Sequence, residues 1–94
     1  MTLAELFVPY GANEDWNGVE IRDITRDITQ VKRGSVFVCT RGRVHDGHLE
    51  APQALKQGAA AVVTGRDLGL ENQLIVPDPS EAYASLCAAF YGFP

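Results

Sequence analysis

Residues 34–63 read GSVFVCTRGRVHDGHLEAPQALKQGAAAVV, and the order of signals in this stretch decides the fold. It opens on the apolar run Val36-Phe37-Val38-Cys39, which predicts a strand buried on both faces. A polar loop carrying Arg41, Arg43, His45 and His48 follows. A short helix comes next, with Pro52 in its first turn, where a missing N–H costs little. Gly58 is a natural stop for it. Residues 60–63 then form a second strand, expected to lie parallel to the first through a right-handed crossover. This is a βαβ unit, and it places a charged loop at the carboxyl end of a buried strand. Ligands of open α/β sheets bind at such strand ends.

Upstream of that unit, Thr2 and Glu5 have capping-box spacing ahead of Leu3, Leu6 and Phe7, which predicts a short opening helix. Pro9, Gly11 and Asn13 end it. From Val19 the apolar alternation runs through Ile21 and then slips, so that Ile24 and Ile28 fall on even numbers. One strand with a bulge or bend near Asp23 accounts for the slip. Residues 31–34 are a turn. Downstream, Leu74-Ile75-Val76 reads as a strand. Asp78, Pro79 and Glu81 then start a last helix. Its apolar stripe is Tyr83, Leu86, Cys87 and Phe90, and Gly92 closes it. The chain stops at Pro94 with no tail, as at a domain boundary. The expected fold class is therefore α/β: a small mixed β-sheet with helices packed on it, containing one βαβ crossover.

The bulk properties agree with a single domain over residues 1–94. An apolar share of 46% supports a packed core rather than disorder. A net charge of −4 leaves no basic stripe for nucleic acid. No apolar run approaches the ~20 residues that span a bilayer, and the N-terminus lacks the basic and apolar regions of a secretory signal. Cys39 and Cys87 show no paired spacing and read as buried, reduced thiols. No nucleic acid, no membrane and a cytoplasmic location are the expectations.

The loop 40–48, TRGRVHDGH, carries the candidate chemistry. Gly42 and Gly47 allow close backbone approach to a ligand and permit positive φ. Arg41 and Arg43 supply cationic forks, and the following helix turns its N-terminus toward the same place. A pyrophosphate-sized anion fits this description. So does an ordinary solvated loop in which Asp46 serves as a turn or cap residue. His45, Asp46 and His48 lack the further ligands that a metal site needs, so no metal is expected. His45 reads instead as a ligand contact, and His48 as a residue at the start of the helix. The run Arg22, Asp23, Arg26, Asp27 admits two readings: a salt-bridged edge, or a stretch in which residues 26–28 wall a crevice opposite loop 42–46. No nucleophile elbow, no Cys–His pairing and no Walker A loop is present. No catalytic residue is expected within the chain.

Taken in order, these residues resemble a known family. Thr25, Asp27, Val31, Gly34, Phe37 and Val38, then Gly42, Asp46, Gly47 and His48, then Ala54, Gly58, Ala59, Ala61, Val62 and Val63 follow the pattern of the N-terminal domain of Mur ligases. The closing VPDPSEAYASLCAAFYGFP is most similar to the MurE-type members. The resemblance implies a UDP-binding domain of an enzyme acting on UDP-MurNAc-L-Ala-D-Glu. Such enzymes use ATP and Mg2+ to form an acyl-phosphate and add a third amino acid, diaminopimelate or lysine. The nucleotide chemistry belongs to central and C-terminal domains that the chain does not contain, so this domain is expected to bind neither ATP nor Mg2+. By position, the UDP contacts implied are Arg26, Ile28, Arg43, Val44 and His45, with Gly42, Asp46 and Gly47 shaping the loop. The related D-Ala-D-Ala-adding ligases, and a non-catalytic nucleotide-sugar-binding or assembly module, are the alternatives.

One departure stands out. The family's Asp-Ser-Arg is Asp27-Ile28-Thr29 here, so a serine hydroxyl expected at the uridine or ribose is absent. A hydrogen bond of that kind contributes about 0.5–1.5 kcal/mol net. Thr29 would replace it only where the backbone leaves a regular strand, because neighbouring strand residues face opposite ways.

Overall fold

The computed structural model describes residues 1–11, 14–41 and 46–92. Four strands make one sheet in chain order: β1 (Asp23–Thr25), β2 (Ser35–Val38), β3 (Ala61–Thr64) and β4 (Gln73–Ile75). Every neighbouring pair is parallel, with Ile24 opposite Val36, Phe37 opposite Val62 and Val63 opposite Leu74. The α/β expectation holds, but the sheet is parallel throughout rather than mixed. An isolated antiparallel bridge between Thr2 and Glu20 lies outside it.

Helix α1 (Leu3–Leu6) forms because Thr2 and Glu5 cap each other reciprocally, side chain to backbone in both directions. Helix α2 (Ala51–Lys56) carries its proline at the start, where no intrahelical N–H is required. Helix α3 (Pro79–Tyr91) begins where the Asp78 carboxylate accepts from the Ser80 and Glu81 amides, and ends at Gly92 with φ 74°.

The apolar runs of β2 and β3 are buried on both faces because each face has its own core. Val36, Val38, Ala61 and Val63 point to one side, where Leu3, Leu6, Phe7, Trp16, Ala82 and Leu86 cover them. Phe37, Cys39 and Val62 point to the other, against Val31, Ala51 and Ala54. Ile28, from the β1–β2 connection, and Leu68 and Leu70, from the β3–β4 connection, pack on this second face as well. All three crossovers therefore run over the α2 side, which a sheet of order 1-2-3-4 requires if its crossovers share one hand. Helices α1 and α3 close the other side. No helix among the described residues is long and apolar enough to cross a membrane.

The expected long first strand does not form. It stops at Thr25, and the Asp27 carboxylate accepts from the Thr29 amide to start a 3-10 turn over Ile28–Gln30. The slip in apolar phase falls between Ile21 and Ile24, where residues 21–22 precede β1 and belong to no strand. The Gln57 side chain fixes the turn from the end of α2, donating to the carbonyls of Ile28 and Val31.

Candidate functional site

At the carboxyl ends of β1 and β2 the surface opens into a cleft of about 420 Å³, lined by Arg26, Asp27, Ile28, Thr40 and Glu50. Three separate local causes bring these residues together. Arg26 and Asp27 follow the last residue of β1. Ile28 is turned inward because Asp27 caps its 3-10 turn and Gln57 holds its carbonyl. Thr40 leaves β2, and Glu50 ends the 3-10 turn Gly47–Glu50 that leads into α2. The cleft thus has one cation, two carboxylates, a hydroxyl and an apolar side chain, a set able to meet both an anionic group and neutral hydroxyl or N–H donors.

Just past Thr40, the two ends of the 41–46 segment are pinned together. Arg41 and Asp46 pair as an isolated antiparallel bridge, and the Gly47 amide donates to the Thr40 carbonyl at 2.8 Å. Gly47 is glycine for lack of room: a Cβ there would lie 3.0 Å from the Thr40 oxygen and 3.3 Å from the Cys39 Cα, both backbone. Its φ is not positive, so close approach rather than left-handed backbone is what it supplies.

Asp46 and His48 form the lock behind this turn. One Asp46 oxygen accepts from the His48 amide at 3.0 Å and receives the ring Nδ1 at 2.7 Å. The other faces Arg66 at 3.4 Å. On the far side of the buried imidazole, Nε2 accepts from the Gly65 amide at 2.9 Å. An acceptor at Nε2 and a donor at Nδ1 define one neutral tautomer. His48 therefore ties the β2–α2 connection to the end of β3. The hydrogen bonds from His48, reinforced by Arg66, hold the Asp46 carboxyl down at about 2. Because the Thr40 carbonyl takes the Gly47 N–H and Asp46 takes the His48 N–H, the chain's own acceptors occupy the start of the turn that the sequence offered to an anion. Burial, with Asp46 nearby, pushes the Cys39 thiol up to about 12. This unreactive thiol belongs to the core.

Of the residues expected at the site, Arg26 and Ile28 line the cleft, while Asp46 caps and Gly47 opens the 3-10 turn that ends at Glu50. Gly42, Arg43, Val44 and His45 lie outside the described residues. Both readings of the charged run hold in part. Asp23 accepts from the Ser35 hydroxyl and lies 3.8 Å from Lys32, whereas Arg26 and Asp27 turn to the cleft. The Thr29 hydroxyl donates to Asp27 at 2.7 Å, so its proton is already committed inside the chain. Sequence reasoning missed Thr40, Glu50, Gln57, Arg66 and Tyr83. Only Tyr83 carried a signal, as part of the α3 stripe; its ring centroid lies 5.1 Å from the Arg26 guanidinium carbon. The others act across long sequence separations.

No protein-family model matches the chain. Its full length aligns with the UDP-N-acetylmuramoyl-L-alanyl-D-glutamate–2,6-diaminopimelate ligase of Listeria monocytogenes at 36% identity, covering 20% of that enzyme. The ligase of the same name from Syntrophomonas wolfei is 44% identical over 78 residues, 80% of this chain and 16% of the relative. The chain belongs to the Mur ligase family. Solved Mur ligase structures share its fold. A MurF ligase from Thermotoga maritima, in complex with ADP, superposes with a TM-score of 0.68 at 26% identity, over 81% of this chain and 18% of that one. MurF from Acinetobacter baumannii gives 0.66 at 28% identity, over 72% of this chain and 15% of that one. The chain spans a fifth or less of the length of these Mur ligases.

Proposed function

We propose that this chain is the substrate-anchoring domain of an ATP-dependent ligase and holds the UDP end of UDP-MurNAc-L-Ala-D-Glu. The observation that supports the reading is the cleft at the carboxyl ends of β1 and β2, where Arg26 and Ile28 face Thr40 and Glu50. In the proposed arrangement Arg26 faces phosphate, Ile28 packs on the nucleoside, and Arg43, Val44 and His45 complete the contact from the loop. Holding the nucleotide end fixes one terminus of a long substrate, so that its distant carboxyl group meets ATP and the incoming amino acid in other domains. Those domains would supply the Mg2+ site and the acyl-phosphate chemistry, since this chain has no Walker A loop. The names of the sequence relatives point to 2,6-diaminopimelate as the amino acid added. They also favour this reading over the D-Ala-D-Ala-adding alternative. The MurF structures are 26% and 28% identical to this chain, against 36% and 44% for the diaminopimelate ligases.

Calorimetric titration with UDP and with ADP tests the proposal. UDP is expected to bind and ADP to bind at least tenfold more weakly, a difference of about 1.4 kcal/mol. Equal affinity for the two, or none for UDP, would refute it.

A further inference from the structure

We infer that Tyr83 is a positioning residue for the cleft, its ring holding the Arg26 guanidinium in place for a nucleoside diphosphate. This deepens the reading above and rests on it. Arg26 is exposed and follows directly after β1, so its long side chain would otherwise sample many rotamers. Its guanidinium carbon lies 5.1 Å from the Tyr83 ring centroid, within the ~6 Å reach of a cation–π contact. Among the described residues no carboxylate pairs with it. Even the adjacent Asp27 turns its carboxylate to Thr29.

The difference between a ring and a carboxylate matters for function. A carboxylate partner takes up guanidinium N–H groups in a bidentate bond, and any incoming phosphate must compete for them. An aromatic face attracts the charge without consuming those donors, so they remain for a ligand. Tyr83 suits the task because it is itself anchored. It is half-buried in α3, packs on the core with Cys87 and Phe90, and α3 lies against β1. A rigid ring on a helix thus fixes a flexible cation at the rim of the cleft.

The test is UDP titration of this chain as wild type, Tyr83→Phe, Tyr83→Leu, Arg26→Gln and the Tyr83→Leu/Arg26→Gln double variant. An accompanying NMR spectrum reads the ring-current shift of the Arg26 δ protons. Tyr83→Phe keeps the ring and is expected to bind UDP as wild type does. Tyr83→Leu is expected to weaken UDP about threefold and to abolish the ring-current shift. It is expected to add nothing once Arg26→Gln is present, whereas a purely structural role would cost affinity in both backgrounds. An equal loss in both backgrounds, or none in either, would overturn the inference alone. A wild-type chain that fails to bind UDP would overturn the nucleotide reading and this inference with it.

Discussion

The Asp46 carboxylate accepts from the His48 amide and ring and faces Arg66, and these contacts hold its titration near 2, below the ordinary 3.8. A carboxyl depressed in the folded state stabilises the fold above its unfolded pKa. That contribution is lost as pH falls from about 4 towards about 2. The urea midpoint of the wild-type chain is expected to drop through this window, and that of Asp46→Asn to drop less. Glu5, Asp27 and Asp67 are also lowered by hydrogen bonds, so the difference between the two curves carries the result. Parallel curves would contradict the assignment. Gly47→Ala tests the same turn by crowding. Its Cβ would press on the Thr40 and Cys39 backbone, and urea unfolding is expected to show a loss of roughly 1–3 kcal/mol. Part of this site was legible in the sequence: Asp46 and Gly47 are recognisable turn residues. The reach of His48 to Gly65 was not, because it links positions 17 apart through a packed imidazole.

Among the elements, those set by local chemistry were readable. The capping residues of α1 and α3 and the proline start of α2 stand beside the helices they shape, and each functions as the spacing implies. Asp78→Ala removes the acceptor for two amides of α3 and is expected to cost about 1 kcal/mol in thermal or urea unfolding. No measurable change would show that the cap contributes nothing to the fold. The extent of β1 was less legible. Ile24 and Ile28 share one phase and read as a single continuing strand, and only the Asp27–Thr29 and Gln57 hydrogen bonds turn Ile28 out of it. The direction of the outer strands β1 and β4 was hidden for a related reason. Parallel neighbours usually need a crossover of a dozen or more residues. Here the connections 26–34 and 65–72 are shorter, with Ile28, Leu68 and Leu70 anchoring them to the α2 face in place of a helix.

For the molecule as a whole, the order of the parallel sheet puts the end of β1 beside the end of β2. Residues from the β1–β2 turn and the β2–α2 connection therefore face one cleft. Its general position followed from the βαβ signal, because ligand sites of such sheets lie at carboxyl ends. The contributions of Thr40 and Glu50 depend on tertiary packing and left no local signature. A second, smaller hollow of about 170 Å³ lies between Tyr10, residues 76–78 and the first turns of α3. It provides an internal control for where a ligand binds. The most direct measurement is a map of backbone amide shifts in the 94-residue chain as UDP is added. Shifts concentrated at Arg26, Asp27, Ile28, Thr40 and Glu50 and in loop 42–47 are the expected result. Shifts confined to the hollow beside α3, or none at millimolar UDP, would contradict the assignment of the cleft.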